Sequence, residues 1–303
     1  MIKYAQLPVF DVQPTLLVDL PCDTGEGPLW DDRTNTLTWN DIPVGTLYRY
    51  DPMDGTNRVV YQHHAAIGGH VLQEDGSLVL FCADGQILAL HPNGTIETII
   101  DHIPAVIGSR FNDVIADSTG SVYAGTMPLG ANGDLPAHLY RLHTNGSLEL
   151  VWDDLGLGNG MGFSPDERTF YHSDSNNRVV YRADYDAGTG AIANRSVLFA
   201  LDDDVAVPDG MTVDANGDIW LAVWNGSCLL HYSAEGEPLG RVPFPVKKVS
   251  SINFGGDDFG TGFVTTAGGL NRDGDDGDLA GSLFAVKIPG VFGKSDYRSK
   301  IGL

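Results

Sequence analysis

Basic residues are scarce in this chain. Eighteen Lys and Arg stand against 40 Asp and Glu, a formal net charge of −22. That deficit argues against nucleic acid and against a membrane as partner, because polyanionic surfaces are met by basic ones. Cysteine is sparse too. Cys22, Cys82 and Cys228 are far apart and odd in number, which speaks against a disulfide framework and against a thiolate metal site. No stretch approaches the ~20 apolar residues of a membrane-spanning helix. The opening Met1-Ile2-Lys3-Tyr4-Ala5-Gln6-Leu7-Pro8 has no apolar core of the signal-peptide kind, so the expectation is a cytoplasmic protein. Amphipathic helical patterns of useful length are missing, and no Pro/Ser-rich linker or shift in composition divides the chain. The expectation is a single domain over residues 1–303.

What is present is a repeat. Short apolar strands carry Trp39, Val79, Tyr123, Tyr171, Trp220 and Phe263. These markers are 40, 44, 48, 49 and 43 residues apart, a period that suits four-stranded propeller blades. Turns rich in Asp, Asn and Gly precede the marker strands at Asp31–Asn35, Glu74–Gly76, Asp117–Gly120, Pro165–Arg168, Asp214–Gly217 and Gly256–Gly260. Such residues supply local hydrogen bonds and left-handed backbone angles. Five units continue into an outer strand, and the sixth meets Pro289-Gly290 instead. The spare N-terminal run Thr15–Leu20 fills that vacancy. The fold class that follows is all-β: a six-bladed propeller of four-stranded antiparallel blades, its ring closed by an N-terminal strand in the last blade.

One position recurs in every unit, about a dozen residues before the marker. Its occupants are Glu26, Gly68 to His70, Asn112, Asn159, Asp209 and Ser250/Ser251. In a propeller these starts of the innermost strands face one another at the axis. Asp-Gly and Asn-Gly are ordinary turn dipeptides, and for any one slot a turn is the simpler reading. Four oxygen donors in matching slots point instead to a shared site for a hard cation. Glu26 weighs most, since Glu has little reason to begin a strand. His70 sits in the second slot and lines the pocket or bonds a backbone carbonyl. The acidic run Asp273 to Asp278 lacks the distal Glu of an EF-hand and reads as a solvated loop.

The ordered set Gly25–Trp30, Arg110-Phe111-Asn112-Asp113, Ala124–Met127, Asn159-Gly160, Ser173–Ser175, Pro208–Met211 and Phe254–Gly256 resembles the SMP-30/gluconolactonase/regucalcin family. The match runs from about Leu17 to Ile288. The resemblance implies one bound divalent cation, calcium, magnesium, manganese, iron or zinc, and a sugar lactone as substrate. It implies Glu26, Asn159 and Asp209 as metal ligands, Asn112 between metal and substrate, and Arg110 in contact with substrate. It favours Asp209 over Glu26 as the base. Pro128, Leu129 and Gly130 follow Met127 where some animal members carry an acidic substrate-binding residue, which leaves the sugar preference open.

The chemistry suits these residue types. A lactone carbonyl gains negative charge on oxygen as water attacks, and a cation with open positions stabilises it. The expected function is hydrolysis of an aldonolactone such as glucono-, xylono- or arabinonolactone to the aldonic acid. The alternatives are a phosphotriesterase-type organophosphate hydrolase and a non-catalytic calcium-binding propeller. No phosphate-binding loop, dinucleotide fingerprint or nucleophile elbow is present.

Overall fold

The computed structural model describes residues 4–130, 135–202 and 205–303. Its strands form six four-stranded antiparallel sheets, the blades of a propeller. The innermost strands are Gly25–Asp31, Ile67–Leu72, Ser109–Ala116, Gly158–Phe163, Val207–Val213 and Lys248–Gly255 for blades 1 to 6. In blade 6 the outermost strand is the N-terminal Thr15–Val18, with Thr15 opposite Ala285 and Leu16 opposite Phe284. The marker strands fall where the repeat puts them, from Thr36–Asp41 in blade 1 to Thr261–Ala267 in blade 6. Among the described residues, no helix is long and apolar enough to cross a membrane.

Burial explains the two kinds of strand. The inner pairs are covered on both faces by the neighbouring blades, so Ile67–Leu72 and Leu78–Cys82 are buried at every position. The outer strand Thr56–Gln62 has mostly exposed or half-exposed positions. Apolar layers lie between blades. Trp220, Ala222 and Leu229 of blade 5, for example, meet Ile252, Phe254 and Phe284 of blade 6. The turns behave as their composition demands. Asp214 Oδ1 accepts the backbone N–H of Asn216 at 2.9 Å and of Asp218 at 3.0 Å, and its Oδ2 takes the Trp220 indole N–H at 3.1 Å. A carboxylate thus clips this turn to its marker strand.

The recurrent slot has a structural name. In all six inner strands the pairing slips once, as a β-bulge, at this height. Asn112, Asn159 and Asp209 lie inside their bulges and Glu26 directly precedes its own. A bulge bends the strand and re-aims its side chains, here toward the axis. The bulges nest closely. A Cβ on Gly160 would sit 2.5 Å from the Asp209 carbonyl oxygen, and one on Gly210 would sit 2.2 Å from Ser251 Oγ. Those two positions take glycine because atoms of the next blade, backbone at Gly160 and the Ser251 side chain with Ser250 O at Gly210, are already there.

The C-terminal segment is the feature that the repeat does not foretell. After Val286 it crosses the face opposite the slots and touches every blade. Phe292 O accepts from Ala215 N in blade 5, and Gly293 N donates to Phe259 O in blade 6. Lys294 Nζ reaches Phe163 O in blade 4 at 3.4 Å. Arg298 binds Asp31 and Asp32 in blade 1, each at 2.6 Å. Ser299 pairs with Leu72 and Glu74 in blade 2, and Lys300 and Gly302 with Gly120 and Thr144 in blade 3. The segment is a strap across the floor. Replacing Arg298 by Ala removes two charge-assisted contacts and leaves Asp31 half-buried, so it should cost about 1–3 kcal/mol. Urea unfolding of Arg298→Ala measures this; an unchanged midpoint would show that the strap contributes no stability through this residue.

Candidate active site

The bulges bring the predicted residues together. Glu26, Asn112, Asn159 and Asp209 are each at most 5% exposed. Asn159 Nδ2 donates to Asp209 Oδ1 across the blade 4–5 seam, and also to Ser175 Oγ at 3.0 Å. Ser175 Oγ donates in turn to Pro208 O at 2.7 Å, so a chain of bonds fixes the Asn159 amide. Asn112 is fixed as firmly: its Nδ2 donates to Gly158 O at 3.0 Å, and its Oδ1 accepts from Arg110 Nη1 at 2.5 Å. Arg110 is buried and also bonds Phe111 O at 2.9 Å.

One residue to which the sequence alone assigns no site role belongs here. In the position after the slot, blades 1, 4 and 5 carry Gly27, Gly160 and Gly210, while blade 3 carries Asp113. It shares the blade 3 bulge with Asn112 and lines the channel wall. Asp113, Glu26 and Asp209 feel one another's charge, and all three feel Arg110. Burial pushes Asp113 up to about 7 against the pull of Arg110. Burial, then the charges of Asp209 and Asp113, push Glu26 well above the usual range. Asp209 rises from burial and then from Asp113, with Asn159 and Arg110 opposing. Among the described residues, three carboxylates confront a single guanidinium, which burial holds down to about 10. Fully ionised, the ring carries an excess of two negative charges out of bulk water.

That excess is the test of whether a metal fits. Buried charge is retained when it is paired or coordinates an ion. A doubly charged cation matches the imbalance, and the carboxylate and amide oxygens are the donors that hard cations take. Glu26, Asn159 and Asp209, with Asn112 beside them, are the residues that can hold it.

Other residues are placed differently. His70 is buried below the bulges, where its Nδ1 meets Asn40 Oδ1 at 3.2 Å and its Nε2 meets Thr38 Oγ1 at 2.8 Å. Asn40 Nδ2 is spent on Ile67 O, so Asn40 Oδ1 accepts and His70 carries its proton on Nδ1. Burial, aided by the charge of Arg49, holds the imidazole neutral with a pKa of about 3. Asp174 accepts the N–H groups of Gly156 and Leu157, and Asp41 accepts those of Asp23 and Thr24. These two carboxylates cap the chain just before Asn159 and before Glu26. Asp276 departs from the solvated-loop expectation: it is buried and binds Lys248 Nζ at 2.8 Å. A second acidic group, Asp214, Asp218 and His231, brings its ligand atoms within 4.8 Å of one another. It lies at the floor end of the blade 5 inner strand, and Asp214 is already occupied by the turn and Trp220. His231 stacks on Trp220 at 4.1 Å and meets Asp218 at 3.0 Å, so the group ties that turn to its blade.

Comparison with known proteins agrees with this geometry. Residues 24–268 match the SMP-30/Gluconolactonase/LRE-like region. The pentonolactonase XacC of Haloferax volcanii is 40% identical over 297 residues, covering 95% of this chain and 99% of that one. Bovine regucalcin is 32% identical over 91% of this chain and 94% of its own length. A solved luciferin-regenerating enzyme superposes with a TM-score of 0.87 at 28% identity, over 96% of this chain and all of that one. A solved calcium-binding regucalcin from Agrobacterium tumefaciens has the same fold, with a TM-score of 0.89 at 23% identity over 97% and 99% of the two chains. With the motifs, the bulge ring and the match in agreement, the chain belongs to the SMP-30/gluconolactonase/LRE-like family.

Proposed function

We propose that this protein is a divalent-metal-dependent lactonase that opens a sugar lactone to its aldonic acid. The observation that carries the reading is the excess of negative charge in the bulge ring, set beside the likeness to a pentonolactonase over nearly the whole chain. Glu26, Asn159 and Asp209 hold the cation in this reading, with Asn112 next to it. When bound, the cation supplies Lewis-acid stabilisation to the developing carbonyl oxyanion.

The chain's own residues supply the rest. Asp209 accepts a proton from the attacking water as the water oxygen bonds to the carbonyl carbon. The ring C–O bond then breaks, the ring oxygen leaves as a hydroxyl carrying that proton, and the acid ionises in solution. Arg110 orients Asn112 through its 2.5 Å bond and offers its remaining N–H groups to substrate hydroxyls. His70, with both nitrogens engaged by blade 1, contributes a neutral wall beneath the substrate. Asp113 raises the proton affinity of Asp209 by its charge, which makes Asp209 a stronger base than a solvated carboxylate.

Three outcomes test the reading. Stripping the protein with a chelator should abolish hydrolysis of glucono- and pentonolactones, and adding back one of calcium, magnesium, manganese, iron or zinc should restore it; activity on a phosphotriester alone would favour an organophosphate hydrolase. Asp209→Asn should lower kcat by about 10²–10⁴-fold, and full activity with metal still bound would remove Asp209 as base. The third outcome concerns pH. The metal-free folded state holds protons on Glu26, Asp113 and Asp209 that the unfolded chain releases near pH 4. Folding therefore binds protons, and stability from these groups is greatest below about pH 4 and is lost as pH rises through the folded value of about 7 for Asp113. Tm of the chelated protein should fall between pH 5 and pH 8, and saturating cation should flatten the fall. Equal slopes with and without metal would contradict the site.

A further inference from the structure

The mouth of the channel carries a constellation that neither the ligand set nor the base uses. Lys248 begins the inner strand of blade 6, opposite Ala267 and two residues before the bulge at Ser250. Arg110 holds the same place in blade 3, opposite Met127 and two residues before Asn112. Blades 3 and 6 face each other in a ring of six. The two cationic residues therefore start from opposite walls at one height, about 7 Å along the strand from the bulges. Trp224 belongs to this level as well, paired with Val207 two residues before Asp209.

Lys248 and Trp224 converge across the seam between blades 5 and 6. Lys248 Nζ lies 5.4 Å from the centroid of the Trp224 ring and 2.8 Å from Asp276 Oδ2. Asp276 is anchored in turn: its backbone oxygen accepts from Lys247 N, and its carboxylate takes Asn271 Nδ2 at 3.1 Å. The anchoring pins an ammonium that would otherwise swing freely. Trp220, Ala222 and Val223 in the same strand are fully buried, whereas Trp224 is half-exposed at the mouth. The Lys248–Asp276 pair has no net charge. It offers donors to neutral hydroxyls instead of trapping an anion, since an ammonium has three protons and Asp276 takes one. An apolar aromatic body beside a few fixed polar groups is the chemistry of a site that reads a polyhydroxylated ring.

We propose that Trp224 and Lys248, held by Asp276, form the sugar-facing wall of the site and set its preference for a polyhydroxylated lactone over an unsubstituted one. The inference rests on the lactonase reading and adds to it the residues that select the substrate.

The test compares a pentonolactone with unsubstituted γ-butyrolactone on the metal-loaded protein. Trp224→Ala and Lys248→Gln should each raise KM for the pentonolactone about tenfold, the equivalent of about 1.4 kcal/mol, with kcat within about threefold and γ-butyrolactone kinetics unchanged. Trp224→Phe should keep most of the preference, and it serves if Trp224→Ala fails to fold. A pentonolactone-to-butyrolactone ratio that stays at the wild-type value in the folded variants would overturn the inference and leave the cluster as a tie between blades 5 and 6. Equal losses on both lactones would overturn it too, as a general disturbance of the site. If the wild-type protein hydrolyses no lactone with any metal, the lactonase reading itself fails and the inference falls with it.

Discussion

Buried acidity lies at the centre of this molecule. Among the described residues, three carboxyl groups are gathered on the axis against a single guanidinium. Left alone, such a group is costly, because each anion loses hydration and repels its neighbours. Every polar contact around the ring can be understood as a response. Arg110 is buried among the acids, the asparagines present fixed dipoles, and Ser175 locks one of those dipoles in place. On the proposed reading, the remaining excess is what a doubly charged cation would neutralise.

The propeller makes that concentration of charge feasible. Six bulges at one height turn six strands inward, and pseudo-symmetry supplies six positions that are geometrically alike but chemically free to differ. Blades 1, 3, 4 and 5 use theirs for oxygen donors, while blades 2 and 6 use glycine and serine. Glycines after the slots let the bulges of adjacent blades nest at Gly160 and Gly210. Where blade 3 substitutes Asp113, the ring gains its third carboxylate. A repeat fold can thus vary one residue per blade without disturbing the frame that holds it.

Much of this was legible in the sequence, for a physical reason. Periodicity reports strands and turns, so the six blades, the marker strands and the N-terminal strand in blade 6 could be read from spacing and turn composition. The slots could be read because Glu26 is out of place at a strand start unless something binds it. Asp113 stands in a recognised motif but gains no role from it, because Asn-Asp at a turn is unremarkable and its meaning depends on Asp209 and Glu26, 96 and 87 residues away in sequence. A comparison of the residue after each slot would have found it, since the matching positions in blades 1, 4 and 5 are glycine. The roles of His70 and Asp276 depended on partners in other elements, Thr38 with Asn40 and Lys248, which no local pattern encodes. The strap was invisible because residues 289–303 have no periodicity; their contacts are to blade ends scattered over the whole chain.

The strap gives the channel a floor. Lys294, Asp296 and Tyr297 line the cavity of about 100 Å³ that runs below Asp113 and His70. With that end spanned, traffic into and out of a lactone site would share one doorway. The two travellers differ in charge: a sugar lactone is neutral, and the acid it yields is an anion at neutral pH. A chain with 22 excess negative charges surrounds that doorway with a field that is indifferent to the first and repels the second. On the proposed chemistry, ring opening therefore changes how the protein's own field acts on what it holds, and the exit is driven by the same acidity that first set this sequence apart.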